Sequence, residues 1–217
     1  MVTNLSLENS VVSEWLYQLR ETSIQEDRMR FRKNIERLGS VAAYEISKVL
    51  PYKPIIAQTP MGETTCYVLE AQPVIGTILR AGLPLYQGLM DFFDQADCAF
   101  IGAYRKHSRG GDSFQIDQQY ITCPEVSGRP LILADSMLAT GASIKIALDA
   151  LLDNDTPSQI HIVTAIACTV GIETLLRHYP QAHIWTGAID DELTAKGYIV
   201  PGLGDAGDLC FGFKKQA

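Results

Sequence analysis

Across 217 residues, 25 acidic side chains stand against 18 basic ones, a formal net charge of −7, and 47% of the residues are hydrophobic while 20% are charged. This composition excludes a disordered or fibrous chain, and the length is that of one domain burying roughly 70% of its unfolded surface without disulfide or metal staples. The acidic balance also argues against coating DNA or RNA, because such proteins recruit phosphate backbones with a basic field.

A short helix is expected around Glu14 to Arg20. From Gln25 to Leu50, the apolar residues Ile35, Leu38, Ala42, Ile46 and Val49 recur at three- and four-residue steps among charged ones, the spacing of an amphipathic helix that Pro51 stops. After Pro54 the rhythm shortens to β-branched runs at 55–57, 65–69 and 74–79, with Met61-Gly62-Glu63 as a turn between the first two. Beyond them strands and helices alternate: a helix over 84–93, strands over 98–104, 114–121 and 130–134, a helix over 142–152, a strand over 160–167, a helix over 171–178 and a strand over 183–185. Alternation with wholly apolar strands such as Leu131-Ile132-Leu133 predicts an α/β fold, a mainly parallel sheet covered by helices on both faces. Ligands of such sheets sit at the carboxyl ends of the strands, so the residues just after each strand are the candidates for chemistry.

Several other classes fall away. The cysteines, Cys66, Cys98, Cys123, Cys168 and Cys210, form no Cys-x-x-Cys or Cys/His cluster, so neither structural zinc nor a redox motif is indicated. Met1 to Glu8 does not read as a secretory signal, and the uncharged stretch 156–172 is broken by Pro157, Ser158, Gln159 and His161, which makes it no bilayer span. A cytoplasmic chain with reduced thiols and no membrane partner is the expectation.

Four segments carry candidate chemistry. The strand Pro130 to Ala134 runs into Asp135-Ser136-Met137-Leu138-Ala139-Thr140-Gly141-Ala142-Ser143. Backbone N–H groups of Ala139 to Ser143 at the helix start, helped by the Thr140 and Ser143 hydroxyls, can wrap a phosphate, and an Asp135 carboxylate at the strand tip suits the vicinal hydroxyls of a sugar. Alone, the same residues also read as an ordinary turn with Ser143 as N-cap. Arg80, at the end of Thr77-Ile78-Leu79, presents a guanidinium suited to bidentate contact with pyrophosphate oxygens, or alone a surface arginine. Arg105-Lys106-His107-Ser108-Arg109 is the densest positive charge on an acidic chain, which a polyanionic substrate explains; Lys106, His107 and Arg109 read better as a solvated hairpin tip. Gly110-Gly111 and the strand after them suggest a projecting β-arm, a candidate dimer contact. Finally, Gly202-Leu203-Gly204-Asp205-Ala206-Gly207 matches the dinucleotide pattern G-x-G-x-x-G, yet no βαβ unit follows it. Its glycines instead let the backbone approach a small planar ligand, and a pyrimidine's alternating donors and acceptors can be read by backbone alone.

Together these segments resemble the type I phosphoribosyltransferases and, within them, the uracil phosphoribosyltransferase family. Pro130 to Ser143 resembles the 5-phospho-α-D-ribose 1-diphosphate (PRPP) signature, Thr77 to Pro84 the pyrophosphate loop in which a non-proline cis peptide is a family feature, and Gly197 to Asp208 the uracil-binding hood. The resemblance runs from about Arg30 to Gly212 with the motifs in family order. It implies the type I fold in a single domain over 1–217, with an N-terminal helical segment at about 10–50, a core at about 54–187 and a hood at about 188–212. It further implies the conversion of uracil and PRPP to UMP and diphosphate, in pyrimidine salvage. PRPP would be bound by Arg80, Arg105, Asp135, Ser136, Met137, Leu138, Ala139, Thr140, Gly141, Ala142, Ser143 and Asp205. Uracil would meet main-chain atoms of Ile199, Gly204 and Ala206 beside Asp205, while Arg105 and Asp205 would be catalytic, Asp205 as the candidate base. The implied cofactor is Mg²⁺, carried mainly by PRPP with Asp205 facing it rather than by a protein cage. A GTP activator, as in some members, and a homodimer or higher oligomer complete the implied partners, with no nucleic acid.

Two departures stand out: Ser136 replaces a usual proline, and Ala142 replaces a usual glycine, which matters only if that position needs positive φ. They motivate one rival, a weakened binder. Another rival, a regulator that senses UMP and binds RNA on the same fold, needs a basic face that this chain lacks.

Overall fold

The computed structural model describes residues 1–107 and 114–214, with the backbone alone for 103–107 and 114–119. In chain order the elements are β1 (Val2–Asn4), α1 (Val11–Arg20), α2 (Thr22–Gln25), α3 (Arg28–Ser47), β2 (Tyr52–Thr59), β3 (Gly62–Leu69), β4 (Val74–Leu79), α4 (Leu83–Met90), β5 (Asp97–His107), β6 (Phe114–Thr122), β7 (Pro130–Ala134), β8 (Met137–Leu138), α5 (Ala142–Leu151), β9 (Gln159–Cys168), α6 (Thr169–His178), β10 (His183–Asp190), β11 (Glu192–Leu193), β12 (Ile199–Val200) and α7 (Ala206–Phe211). Local chemistry sets several boundaries. Ser10 and Ser13 form a reciprocal capping box at the start of α1, and Asp27 accepts from the Met29 and Arg30 N–H groups to start α3.

The central sheet has the order β1-β10-β9-β7-β4-β5-β6, with β8 added to β9. Every pairing in it is parallel except β5 with β6. Neighbouring residues on each strand bury opposite faces, as the two-residue period requires. Ile75, Ile132 and Val163 pack with α1, α3 and α4, whereas Val74, Leu131, Leu133 and Ile162 pack with α5 and α6. Such two-sided burial is why these strands are apolar throughout. Helices α3 and α4 cross so closely that a Cβ on Gly39 would lie 2.2 Å from the Leu85 carbonyl oxygen, and one on Gly88 would lie 1.9 Å from that of Glu36.

Three features depart from the sequence-based expectation. The N-terminal quarter is not wholly helical: Val2–Asn4 forms the parallel edge strand beside β10, fixed by the Met1 ammonium donating to the Ala182 carbonyl at 2.9 Å. A three-residue strand carries no periodic pattern, and long-range ladder bonds alone define it. Secondly, β2 and β3 form their own antiparallel hairpin apart from the central sheet, exposing Ile56, Met61 and Tyr67. Thirdly, α3 ends at Ser47, short of Pro51, in a tightened turn where Val49 N–H bonds Ile46 C=O. As for the expected β-arm, β5 and β6 continue as a two-stranded ladder from Ala103↔Gln118 to His107↔Phe114, past the last residue that β4 pairs; Ser108 to Gly111 lie outside the described residues.

A polar network occupies the amino end of the sheet. His161, 3% exposed, accepts from Trp185 Nε1–H at Nδ1 (3.1 Å), so its Nε2–H donates to Gln159 Oε1 (2.9 Å). His183 stacks on Trp185 at 3.9 Å and reaches Thr3 Oγ1 of β1. Burial first, then His183, holds the His161 imidazole down from 6.5 to about 4. In the unfolded chain His161 takes up a proton as pH falls through 6.5, but in the folded protein only near 4. The stability it contributes is therefore present above pH 6.5 and lost as pH falls towards 4, on the order of 3 kcal/mol.

Two outcomes are expected. Gly88→Ala forces α3 and α4 apart and costs about 1–3 kcal/mol, read as a lower urea midpoint at unchanged slope. The urea midpoint of the unmodified chain falls between pH 7.5 and 5, and His161→Gln, which supplies an amide donor and acceptor in place of the ring nitrogens but cannot titrate, flattens that fall.

Candidate active site

The strand order reverses between β7 and β4, since the chain moves from β4 outward to β5 on one side and through β7, β9 and β10 on the other. A crevice opens at the carboxyl ends of strands where the order reverses. The residues that follow β4 and β7 are the Arg80 turn and the Asp135 to Ser143 loop.

At the end of β4 the Leu79–Arg80 peptide is cis. The turn then folds down against its own strand and the next: a Cβ on Gly82 would lie 2.6 Å from Thr77 Oγ1 and 2.7 Å from the Ala134 carbonyl oxygen. That close approach leaves the Arg80 side chain 43% exposed over the crevice, with Nη2 3.4 Å from Asp208 Oδ1.

After β7, the Asp135 N–H donates to Val163 C=O at 3.1 Å, and the Ser136 carbonyl accepts from both Ala165 and Ile166 (3.0 and 3.2 Å). Met137 and Leu138 pair with β9 as β8, Ala139 and Thr140 follow, and Gly141 turns into α5 at φ 82°. A cavity of about 30 Å³ is lined by residues 137–144. Helix α5 has no side-chain cap: Thr140 Oγ1 accepts from Ala142 N–H at 3.3 Å, and the first bond into the helix is Lys145 N–H to Gly141 C=O. The Ser143 and Ile144 N–H groups are left without an acceptor among the described residues, facing the kind of terminus that attracts anions. The positive φ falls on Gly141, and no described non-glycine residue has one, so Ala142 is accommodated without strain.

The third part is built from the chain after β10. Strands β11 and β12 pair antiparallel, and Val200–Pro201 is cis. Ile199 is buried at 5% exposure, its side chain in the core and its backbone paired with Leu193. Gly204 is exposed at φ 94°, and Ala206 is buried at the start of α7. Asp205 is the N-cap of α7: Oδ1 accepts from Asp208 N–H at 3.0 Å, and Oδ2 lies 3.4 Å from Lys214 Nζ. A Cβ on Gly207 would be 3.1 Å from Asp205 Oδ1 and 3.7 Å from Arg80 Nη2, so this segment reaches the end of β4. Arg105 lies on β5 opposite Ile116, three residues past the last residue of β5 that pairs with β4, and its side chain is outside the described set.

The sequence reading missed Asp208, Lys214 and Gly171. Asp208 belongs to the same Gly-Asp-Ala-Gly-Asp run as Asp205 and takes Arg80 as partner, while Lys214 follows the recognisable pattern and carries no signal of its own. Gly171 supports the phosphate loop from α6, where a Cβ would sit 2.4 Å from the Ala139 carbonyl oxygen. Two kinds of chemistry find no support. Burial pushes the Cys210 thiol, on the inner face of α7, up to about 12, which leaves it no nucleophile. Among the described residues no group of three or more His, Cys, Asp or Glu side chains could hold a metal.

Comparison with known proteins agrees with this arrangement. Residues 6–212 match the family model described as uracil phosphoribosyltransferase. The uracil phosphoribosyltransferase of Porphyromonas gingivalis is 43% identical over 98% of this chain and 99% of its own length, and that of Sulfolobus acidocaldarius is 34% identical over 95% and 98%. Among solved structures, the AQ2163 protein of Aquifex aeolicus superposes with a TM-score of 0.87 at 27% identity, covering all of both chains. The orotate phosphoribosyltransferase of Mycobacterium tuberculosis, solved with PRPP, shares the type I fold at a TM-score of 0.51 and 14% identity, covering 85% of this chain and 92% of its own. With the match extending over nearly its whole length, the chain belongs to the uracil phosphoribosyltransferase family.

Proposed function

We propose that the chain transfers the phosphoribosyl group of PRPP to N1 of uracil, giving UMP and diphosphate in pyrimidine salvage. The observation that carries this reading is the meeting of an arginine turn, a phosphate-type loop and a glycine-rich hood around one crevice at the β4/β7 reversal. In the reaction the bond from ribose C1 to the diphosphate oxygen breaks and the bond from C1 to uracil N1 forms with inversion. Arg80 and Arg105 neutralise the charge gathering on the departing diphosphate. Backbone N–H groups of residues 139–143 and the Thr140 and Ser143 hydroxyls hold the 5-phosphate, and Asp135 takes the ribose hydroxyls, with Ser136, Met137 and Leu138 completing the loop. Main-chain groups of Ile199, Gly204 and Ala206 read the pyrimidine, and Asp205 is the base candidate for its N1 proton. Positioning and charge stabilisation then supply most of the rate.

Mg²⁺, when bound, supplies charge neutralisation on the diphosphate. The donor set fits a metal held mainly by substrate oxygens and water, with Asp205 the protein carboxylate facing it. The contacts of Arg80 with Asp208 and of Lys214 with Asp205, both 3.4 Å and partly exposed, hold these side chains beside the position that PRPP oxygens take. The exposed Ile56, Met61 and Tyr67 of the β2–β3 hairpin favour assembly as a homodimer or larger oligomer, and GTP is the candidate activator. No described helix is long and apolar enough to cross a membrane, and a cytoplasmic location and a single domain over 1–217 belong to the same reading.

The reading is tested by incubating the protein with labelled uracil, PRPP and Mg²⁺. UMP forms, and Asp205→Asn or Arg105→Ala lowers its rate by about 100- to 1000-fold while the fold, followed by circular dichroism, is retained. Absence of UMP from the unmodified protein overturns the assignment, and unchanged rates in the variants overturn those two roles. Ser136 bears on the weakened-binder alternative. Its hydroxyl is buried without a partner, and its N–H donates to no described group, so a proline there loses no hydrogen bond. Ser136→Pro is expected to stabilise the protein by about 1 kcal/mol, a thermal midpoint about 2–4 °C higher, with UMP synthesis retained.

A further inference from the structure

Between β10 and the hood stands an ion pair in which neither partner belongs to the substrate machinery described above. Asp190 is the last residue of β10 and Arg20 the last of α1, and their side chains are 7% and 26% exposed. Arg20 donates from Nη1 to Asp190 Oδ2 and from Nη2 to Oδ1, both at 2.8 Å, a fork-to-fork geometry. The same two side chains take both peptide groups of one residue. Arg20 Nη1 donates to the Gly202 carbonyl at 3.0 Å, and Asp190 Oδ2 accepts from the Gly202 N–H at 2.9 Å.

Gly202 is poorly suited to hold its own conformation. It sits at φ 57° immediately after the cis Val200–Pro201 peptide, and a Cβ there would lie 2.2 Å from the Ile199 carbonyl oxygen. Glycine visits many other conformations at little cost, so something outside the loop must select this one. It also lies between Ile199 on one side and Gly204 and Ala206 on the other. Two more N-terminal side chains grip the same stretch by its carbonyls. Gln25, with its amide oriented nitrogen-inward, donates to Leu203 at 2.8 Å, and Arg32 donates to Cys210 at 2.7 Å, capping α7.

We infer that Arg20 is a positioning residue for pyrimidine recognition: through Asp190 it clamps the Gly202 peptide and so sets the main-chain atoms that read uracil. The inference rests on the reading of residues 199–206 as the uracil site. Ligand recognition by backbone has no side-chain rotamers to adjust, so its precision is that of the loop, and a small displacement is costly. The PRPP side is built mainly on β4, β7 and α5, with Asp205 its one group downstream of the clamp, anchored separately as the N-cap of α7.

Steady-state kinetics on the full chain, with uracil and PRPP varied in turn, test it. Arg20→Ala and Asp190→Asn are each expected to raise KM for uracil at least tenfold while KM for PRPP changes less than twofold. The double variant is expected to be no worse than the poorer single one, because both act through one peptide. Arg20→Lys, which keeps the charge but not the fork, falls between. A merely structural role would instead lower the thermal midpoint and the active fraction with both KM values unchanged. That result, or parallel rises in both KM values, overturns the inference. Should Arg20→Ala fail to unfold cooperatively, Asp190→Asn and Arg20→Lys decide by the same split. Failure of the unmodified protein to make UMP defeats the functional reading itself, an outcome distinct from wild-type uracil KM in folded variants.

Discussion

The reversal of strand order between β4 and β7 is the constraint on which the rest of this molecule depends. Two neighbouring parallel strands whose crossovers leave in opposite directions cannot both have their ends covered, and the uncovered space is where a ligand can lie. The Arg80 turn follows one strand, the Asp135 loop follows the other, and the chain after β10 reaches Arg80 through Asp208. The apolar continuity of Val74 to Leu79 and Pro130 to Ala134 serves this placement. Strands buried on both faces make a stiff platform, so loops of only a few residues can be held in a fixed geometry.

A net charge of −7 looks at odds with a polyanionic substrate, and the site shows why it is not. Arg80 is placed at the crevice, with Lys214 beside Asp205 close by, and each faces a carboxylate a little beyond ordinary hydrogen-bond length. Contacts of that length between partly exposed groups are weak, so an anion can replace them without a large desolvation penalty. Local placement, with backbone N–H groups at the start of α5, provides the attraction that the overall composition denies.

The sequence made the sheet strands and the two phosphate-facing loops legible because both obey local rules. Apolar runs of five or six residues, and an acidic residue before a Thr-Gly turn into an amphipathic helix, need no tertiary context to be read. What escaped was set by distant contacts. Nothing in Val2-Thr3-Asn4 distinguishes a strand, and only pairing with Ile184, Trp185 and Thr186 makes it one. The hairpin of β2 and β3 has the right strand residues, yet its separation from the central sheet follows from packing, not pattern. Asp208 takes its partner, Arg80, from 128 residues away, and Ala142 needs no glycine because the positive φ falls one residue earlier, on Gly141. Arg20 is the sharpest case, since a basic residue in the last turn of a helix is adequately explained by the helix dipole.

That difference in legibility has a physical counterpart in how the two halves of the site are built. The half that follows β7 is made of strand, loop and helix contiguous in sequence, so its geometry follows once the sheet is assembled. The hood half is held by Arg20 across 182 residues and by Arg32 across 178, and its own short strands pair only with each other. Such contacts return free energy only after nearly the whole chain is in place, because the entropy of closing the loop must first be overcome. The hood therefore takes its shape only when the N-terminal helices are packed beside it, whereas the loop after β7 needs only β9. Ile199, Leu203, Ala206 and Cys210 join the core shared with α1, α3 and α4, so this segment is seated by apolar packing and its peptide groups are then fixed one by one by Arg20, Asp190 and Arg32, whereas the loop after β7 is fixed by backbone bonds to β9.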